Sequence, residues 1–262
     1  MNNKSNDNKG DRNFDDLVGH FKKNIYETPK GKIRLNILWR DLLEAIPAIE
    51  QPAPLRILDA GAGLGYMAGM LAERGHQLVL CDVSNEILQQ AEIHLRQQHP
   101  HAAFQLINSA VQELSQHLEG QFDIVLFHAV LEWLAEPQAI LMQLLEFVKP
   151  SGYLSLMYYN KHSLIYRHLL NANFKVLLAG EVRVGERLVP ISPLEPDLVR
   201  GWLIEAGMKT VSQSGIRVIF DYLKYSDKQC IDIEELLQME RRYSRLQPYA
   251  GLARYQHIIA RK

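Results

Sequence analysis

The sequence has little sulfur and no long apolar run. Its two cysteines, Cys81 and Cys230, are too few for a disulfide framework in 262 residues. Neither sits in a CxxC or Cys/His spacing, so neither a stapled fold nor a zinc site is expected. No uninterrupted apolar stretch approaches the roughly 20 residues that cross a bilayer, so no membrane partner is expected. The opening stretch "MNNKSNDNKGD" lacks the apolar segment of a secretory signal and reads as a disordered tail over residues 1–11. A reducing, cytoplasmic setting follows as the expectation. No internal repeat or low-complexity tract is present.

What is there is an ordinary globular composition, 47% apolar and 23% charged, enough for a sizeable core in a single domain over residues 12–262. The formal net charge of −1 conceals an asymmetry. Residues 1–160 carry 13 Lys+Arg against 19 Asp+Glu, and residues 161–262 carry 16 against 11. A basic C-terminal part is compatible with a polyanionic partner, and equally with a solvated face.

From residue 55 to residue 160, short apolar runs alternate with helical patterns. "LRILDAG", "QLVLCDVS", "AFQLINSA", "FDIVLFHA" and "GYLSLMYYN" read as strands buried on both faces. Between them, "YMAGMLAERG" closes on Gly75, "SNEILQQAEIHLRQQH" opens on Ser84 as N-cap, and "PQAILMQLLEFVKPSG" opens on Pro137. This is the pattern of an α/β fold with a doubly wound, mostly parallel sheet, whose ligands lie at the carboxyl ends of the strands. Residues 12–50 read as an N-terminal helical lid broken near Pro29 and Gly31. Residues 161–193 read as an insertion after the fifth strand, a helix then a hairpin in "GEVRVGERLVPISP". Residues 194–262 supply C-terminal helices and closing strands, the last of them "LARYQHIIARK", returning antiparallel.

The first strand runs into "LDAGAGLG", with glycines at 61, 63 and 65. A dinucleotide turn, G-x-G-x-x-G, would need glycine at Tyr66 or at Ala68. The spacing therefore demotes a dinucleotide, while a nicotinamide-dependent or non-catalytic nucleotide-binding protein stays as a remote alternative. The run "DAGAGLG" instead resembles the D/E-x-G-x-G-x-G signature of class I S-adenosylmethionine-dependent methyltransferases. That resemblance implies S-adenosyl-L-methionine as cofactor, with Gly61, Ala62 and Gly63 against its methionine part. Asp82, at the end of the second strand, is placed to accept from both ribose hydroxyls. Val111 and Gln112, after the third strand, fall where such enzymes hold the adenine. His128 ends the fourth strand on the methionine side, and Trp133 reads as core or pocket wall.

The sequence lacks the D/N-P-P-Y/F run of adenine amino-group methylation, and neither cysteine has the proline neighbour of enzymes that attack a pyrimidine C6. No evident base for deprotonating a hydroxyl stands out, and no catalytic side chain is assigned. A carboxylate acceptor, ionised already at neutral pH, would need none. The segments "RNFDD", "NIY", "KGKIR", "ILWRDL", "FHAVLEW", "LSLMYYN", "GIRVIFDYL" and "RRYSRLQPY", spread over nearly the whole chain, resemble the bacterial tRNA 5-carboxymethoxyuridine methyltransferase (CmoM) family. The resemblance implies methyl esterification of the carboxylate on a wobble uridine, with the tRNA anticodon loop as partner. It also implies that Arg34 pairs with the cofactor's carboxylate. Ala62 departs from the glycine common there. Tyr26, Tyr158 and Arg217 are candidates for the acceptor, with pairing to Asp221 as the bland reading of Arg217. Arg183 and Arg187, with Lys175, Arg241, Arg242 and Arg245, are candidates for anticodon phosphates. A methyltransferase of a small-molecule carboxylic acid or hydroxyl is the alternative.

Overall fold

The computed structural model describes residues 28–180 and 193–262. Seven strands form one sheet: β1 (Arg56–Ala60), β2 (Gln77–Asp82), β3 (Phe104–Asn108), β4 (Phe122–His128), β5 (Val148–Tyr159), β6 (Lys209–Ile216) and β7 (Tyr255–Arg261). Their order is β3-β2-β1-β4-β5-β7-β6. β1 to β5 pair in parallel, and β7 runs antiparallel to β5 and β6, as expected for the closing strand. The strand order reverses between β1 and β4, where a doubly wound sheet opens its ligand crevice.

Ten helices are described: α1 (Pro29–Ala45), α2 (Tyr66–Ala72), α3 (Asn85–Gln98), α4 (Pro137–Leu145), α5 (Lys161–Leu170), α6 (Phe174–Leu178), α7 (Pro196–Glu205), α8 (Tyr225–Cys230), α9 (Ile233–Tyr243) and α10 (Tyr249–Leu252). α1 corrects the expected break at Gly31. Pro29 occupies the first turn, where its missing N–H costs nothing, and the Thr28 hydroxyl accepts from the Gly31 N–H, so Gly31 lies inside the helix. Ser84 caps α3 by accepting from the Ile87 N–H at 3.2 Å. Gly75, φ +79°, takes the left-handed conformation that ends the stretch after α2.

Side chains alternate across the sheet and build two cores. One face packs Leu58, Val125, Phe127, Leu156 and Tyr158 against α4 and α7. The other packs Ile57, Ile124, Leu126, Met157 and Ile259 against α1, α2, α3 and α9. Ile33, Ile37 and Leu42 of α1 are fully buried there, and each contributes about 1.5–3 kcal/mol of transfer free energy. α1 is thereby fixed across the carboxyl edge of the crevice. The expected hairpin lies at residues 181–192, outside the described residues. No described helix is long and apolar enough to cross a membrane.

Candidate cofactor and acceptor site

The turn after β1 owes its shape to the glycine spacing. Gly61, Gly63 and Gly65 have φ of +77°, +55° and +72°, whereas Ala62 between them does not need the left-handed region, so its methyl group is tolerated. A Cβ on Gly61 would stand 2.3 Å from Val130 Cγ2, so the turn closes on the segment after β4. The N–H groups of Gly61 and Ala62 donate to the Cys81 carbonyl at 2.8 and 2.9 Å, and that of Gly63 donates to Asp82 Oδ2 at 2.9 Å. With three N–H groups committed to β2, the turn lacks the fan of donors that cradles a pyrophosphate, which counts against the dinucleotide alternative. Asp82 Oδ1 accepts from the Ser84 N–H at 3.0 Å. The Asp82 carboxylate is thus held at the strand end, half-buried.

A cleft of about 380 Å³, the open solvent at its mouth included, lies between Arg34 and Leu38 of α1, Asp59 and Gly61, His128 at the end of β4, and Met157 of β5. Burial, reinforced by the charge of Asp82, raises the Asp59 carboxyl to about 7. Cys81 is buried, donates to the Ser109 carbonyl and has its thiol pushed up to about 12, chiefly by burial, so it is no nucleophile. Val111 and Gln112 open the 3-10 helix Val111–Gln116 directly after β3, half-buried at the same edge.

His128 is held by a buried chain of hydrogen bonds that crosses the sheet. Its Nε2 lies 2.8 Å from Ser155 Oγ, Ser155 Oγ lies 2.9 Å from His257 Nε2, and His257 Nδ1 lies 2.8 Å from Asp41 Oδ2. Burial opposes the charge on Asp41, but the hydrogen bond from His257 and the charges of His257 and Arg40 outweigh it and hold the carboxyl below its ordinary range. Arg40 and Arg245 complete the pairing, each 2.6 Å from Asp41 Oδ1. An ionised Asp41 only accepts, so His257 donates to it from Nδ1. The Ser155 hydroxyl thus bridges the two imidazole rings. Burial, with the nearby His257 and Arg34 charges, lowers the His128 pKa well below its usual value and keeps the ring neutral.

Beyond the cleft, the antiparallel register brings Tyr255 opposite Tyr159 and Ile216. The ends of β5 and β6 and the start of β7 therefore share the ligand edge. Arg34 Cζ lies 5.0 Å from the Tyr255 ring centroid and Arg254 Cζ 4.3 Å from that of Tyr159, while the two rings meet edge to face at 5.6 Å. Arg217 lies in the left-handed region, φ +63°, and its guanidinium is buried against Asp221 at 2.6 Å. That ion pair corrects its assignment to the acceptor carboxylate. Burial opposes both charges, but the pairing outweighs it, raising Arg217 and lowering Asp221.

Two other expected contacts, Tyr158 and Arg245, are also corrected. Met157 faces the cleft, so Tyr158, one residue on, points to the opposite face. There it is 0% exposed, in the core with Val199 and Trp202, and it is no acceptor contact. Arg245 is committed to Asp41 and Glu44 within the fold. Arg241 donates to Asn36 Oδ1, Arg242 packs on Tyr243, and Lys175 is exposed on α6. Tyr26, Arg183 and Arg187 lie outside the described residues.

Residues 58–156 match the family described as Methyltransferase domain. Two curated relatives from Escherichia coli, strains O157:H7 and K12, are both named tRNA 5-carboxymethoxyuridine methyltransferase. Each is 43% identical over 253 residues, covering 96% of this chain and 97% of the relative. The chain belongs to the tRNA 5-carboxymethoxyuridine methyltransferase family. A ubiquinone biosynthesis O-methyltransferase from Xanthomonas axonopodis pv. citri (strain 306) is more distant, 27% identical over 66% of this chain and 71% of its own length. Among solved structures, magnesium protoporphyrin IX methyltransferase (ChlM) from Synechocystis PCC 6803 with bound SAH shares the fold. Its TM-score is 0.65 at 13% identity, over 95% of each chain.

Two residues of this site were missed in the sequence. Asp41 falls on the buried stripe of α1 at four residues from Ile37 and eight from Ile33, where a carboxylate has no reason to be unless paired. Arg254 stands one residue ahead of β7. Only the antiparallel return of that strand places it at the ligand edge.

Proposed function

We propose that this protein transfers the methyl group of S-adenosyl-L-methionine to the carboxylate of 5-carboxymethoxyuridine at the tRNA wobble position, giving the methyl ester. The observation that carries this is the pairing of a glycine-turn cleft with the cations Arg34 and Arg254 at the same edge, Lys30 adding to the positive charge there. The charges of Arg217, Arg254 and Lys30 all act on one another or on Asp221. The 43% identity along nearly the whole chain supports the same reading.

The residues present fit the cofactor. Arg34 borders the cleft and its Nε is buried without a partner, a donor in want of an anion, and the turn at Gly61 has no room for a side chain. Arg34 would hold the methionine carboxylate, Asp82 the ribose hydroxyls, and Val111 with Gln112 the adenine. His128, a neutral ring held at the cleft wall, would line the methionine part. When bound, the cofactor supplies an electrophilic methyl group on a sulfonium. The acceptor carboxylate, with an unperturbed pKa near 4, is already ionised, so no side chain has to remove a proton. The protein's work is to align the carboxylate oxygen with the methyl group and to exclude water.

The bond formed provides the test. Label transferred from methyl-labelled cofactor to tRNA should be released as methanol by mild alkali, as an ester requires. Label that survives alkali would mean an ether or N-methyl product and would overturn this reaction.

A further inference from the structure

Among the described residues, nine buried side-chain nitrogen or oxygen atoms have no hydrogen-bond partner, and six of them belong to one cluster. The donors are Arg34 Nε, Arg217 Nε, and Nε and Nη1 of Arg254. The acceptors are Glu132 Oε2 and Asp221 Oδ2. Native interiors leave few such atoms, so a cluster of unmet donors at the edge of a cleft marks a place where a ligand completes the bonding.

The charges in the cluster are unequally satisfied. Arg217 and Asp221 form a closed ion pair at 2.6 Å. Burial raises the Glu132 carboxyl to about 7, despite Arg34 and Arg254 nearby, so it neutralises neither fully. Among the described residues, Arg254 has no carboxylate within ion-pair distance. Its backbone N–H donates to the Arg217 carbonyl and its guanidinium rests on the Tyr159 ring, so the side chain is held in place while two of its buried nitrogens stay unbonded. Burial lowers its pKa, as expected for a guanidinium short of counter-charge. Arg34 and Arg217 pack on Tyr255 and Arg254 packs on Tyr159, so the aromatic pair carries a cation on each ring, Arg34 at the cleft.

We propose that Arg254 is the residue that receives the acceptor's carboxylate. The assignment rests on the wobble-carboxylate reading above. Each carboxylate then has its own arginine: Arg34 for that of the cofactor, and Arg254 for that of the nucleotide about to be methylated. The Tyr159 and Tyr255 rings pack against these two arginines. Lys30, whose ammonium feels both Arg217 and Arg254, adds positive charge at the same edge and favours an arriving anion.

The test compares wild-type protein with Arg254→Gln and Arg254→Lys. Each is titrated with two tRNAs that differ only at the wobble base, one bearing 5-carboxymethoxyuridine and one bearing 5-methoxyuridine, which lacks the carboxylate. S-adenosylhomocysteine affinity serves as the control for an intact cleft. Wild type should prefer the carboxylate-bearing tRNA by about tenfold or more, the range of one charge-assisted hydrogen bond. Arg254→Gln should reduce that preference to within about twofold and raise the KM for the carboxylate tRNA about tenfold or more, with S-adenosylhomocysteine affinity unchanged. Arg254→Lys should fall between. A glutamine variant that keeps the wild-type preference overturns the Arg254 assignment and leaves the reaction standing. Equal losses for both tRNAs and for S-adenosylhomocysteine overturn it too, since they mark a packing role. A wild-type protein without the preference overturns the tRNA reading as well.

Discussion

At the scale of single residues, charge and burial decide what each side chain does. Arg34→Ala removes a charge-assisted hydrogen bond to the cofactor, and S-adenosylhomocysteine should bind about 1.5–3 kcal/mol more weakly by calorimetry. Unchanged affinity would remove Arg34 from the site. Asp59 gives a pH dependence with a definite sign. Its folded value is raised from 3.8 to about 7, so with the cleft empty its charged form develops only around neutrality and at a cost to stability. A cationic ligand beside it favours the charged form. Cofactor affinity should therefore rise between about pH 6 and pH 8, and Asp59→Asn should flatten the slope. A slope that survives the substitution would assign it to another group. The glycines, Asp82 and His128 were legible because they sit at strand ends fixed by local pattern. Arg254 was not, because its place depends on a strand pairing between residues 159 and 255.

At the scale of elements, α1 both lines the crevice and acts as a structural strut. It covers the crevice through Arg34 and Leu38, and through Asp41 it joins β7, β5 and β4 in the chain that ends on His128. Asp41→Asn leaves Arg40 and Arg245 facing a neutral amide, and the loss from breaking such a buried pairing is about 3–5 kcal/mol. Thermal unfolding should show it as a melting point lowered by about 6 °C or more. The same linkage makes stability fall in acid. Asp41 has a depressed folded value, so its contribution is present above the ordinary carboxylate pKa of 3.8 and is lost on acidification below it. Strand and helix order was readable from apolar periodicity, and the closing antiparallel strand with it. The face of Tyr158 was misread because a strand side chain's direction follows from its parity relative to a neighbour, and Met157 takes the cleft side. Gly31 was misread because a glycine beside proline suggests a break, whereas here both sit in a capped first turn.

At the scale of the whole molecule, the basic surplus of the C-terminal part is partly internal. Arg217 pairs with Asp221, Lys161 with Glu195, and Arg245 with Asp41 and Glu44 across the boundary between the two charge regions. Composition counted these cations as available to a polyanion, and the fold uses them itself. Enough remain at the ligand edge and on the exposed face of α9, Arg242 among them, for tRNA binding to depend on salt. Affinity for tRNA should fall at least about tenfold between about 50 and 200 mM salt, while S-adenosylhomocysteine affinity stays within about twofold. A small-molecule acceptor would give no such contrast.

The central claim is that the acceptor is a carboxylate on the wobble uridine, and one measurement bears on it directly. Methyl transfer is followed with two otherwise identical tRNAs, one carrying 5-carboxymethoxyuridine at the wobble position and one carrying unmodified uridine. Transfer to the first alone, one methyl group per tRNA, is the expected result. Equal transfer to both, or none to the first, would contradict it.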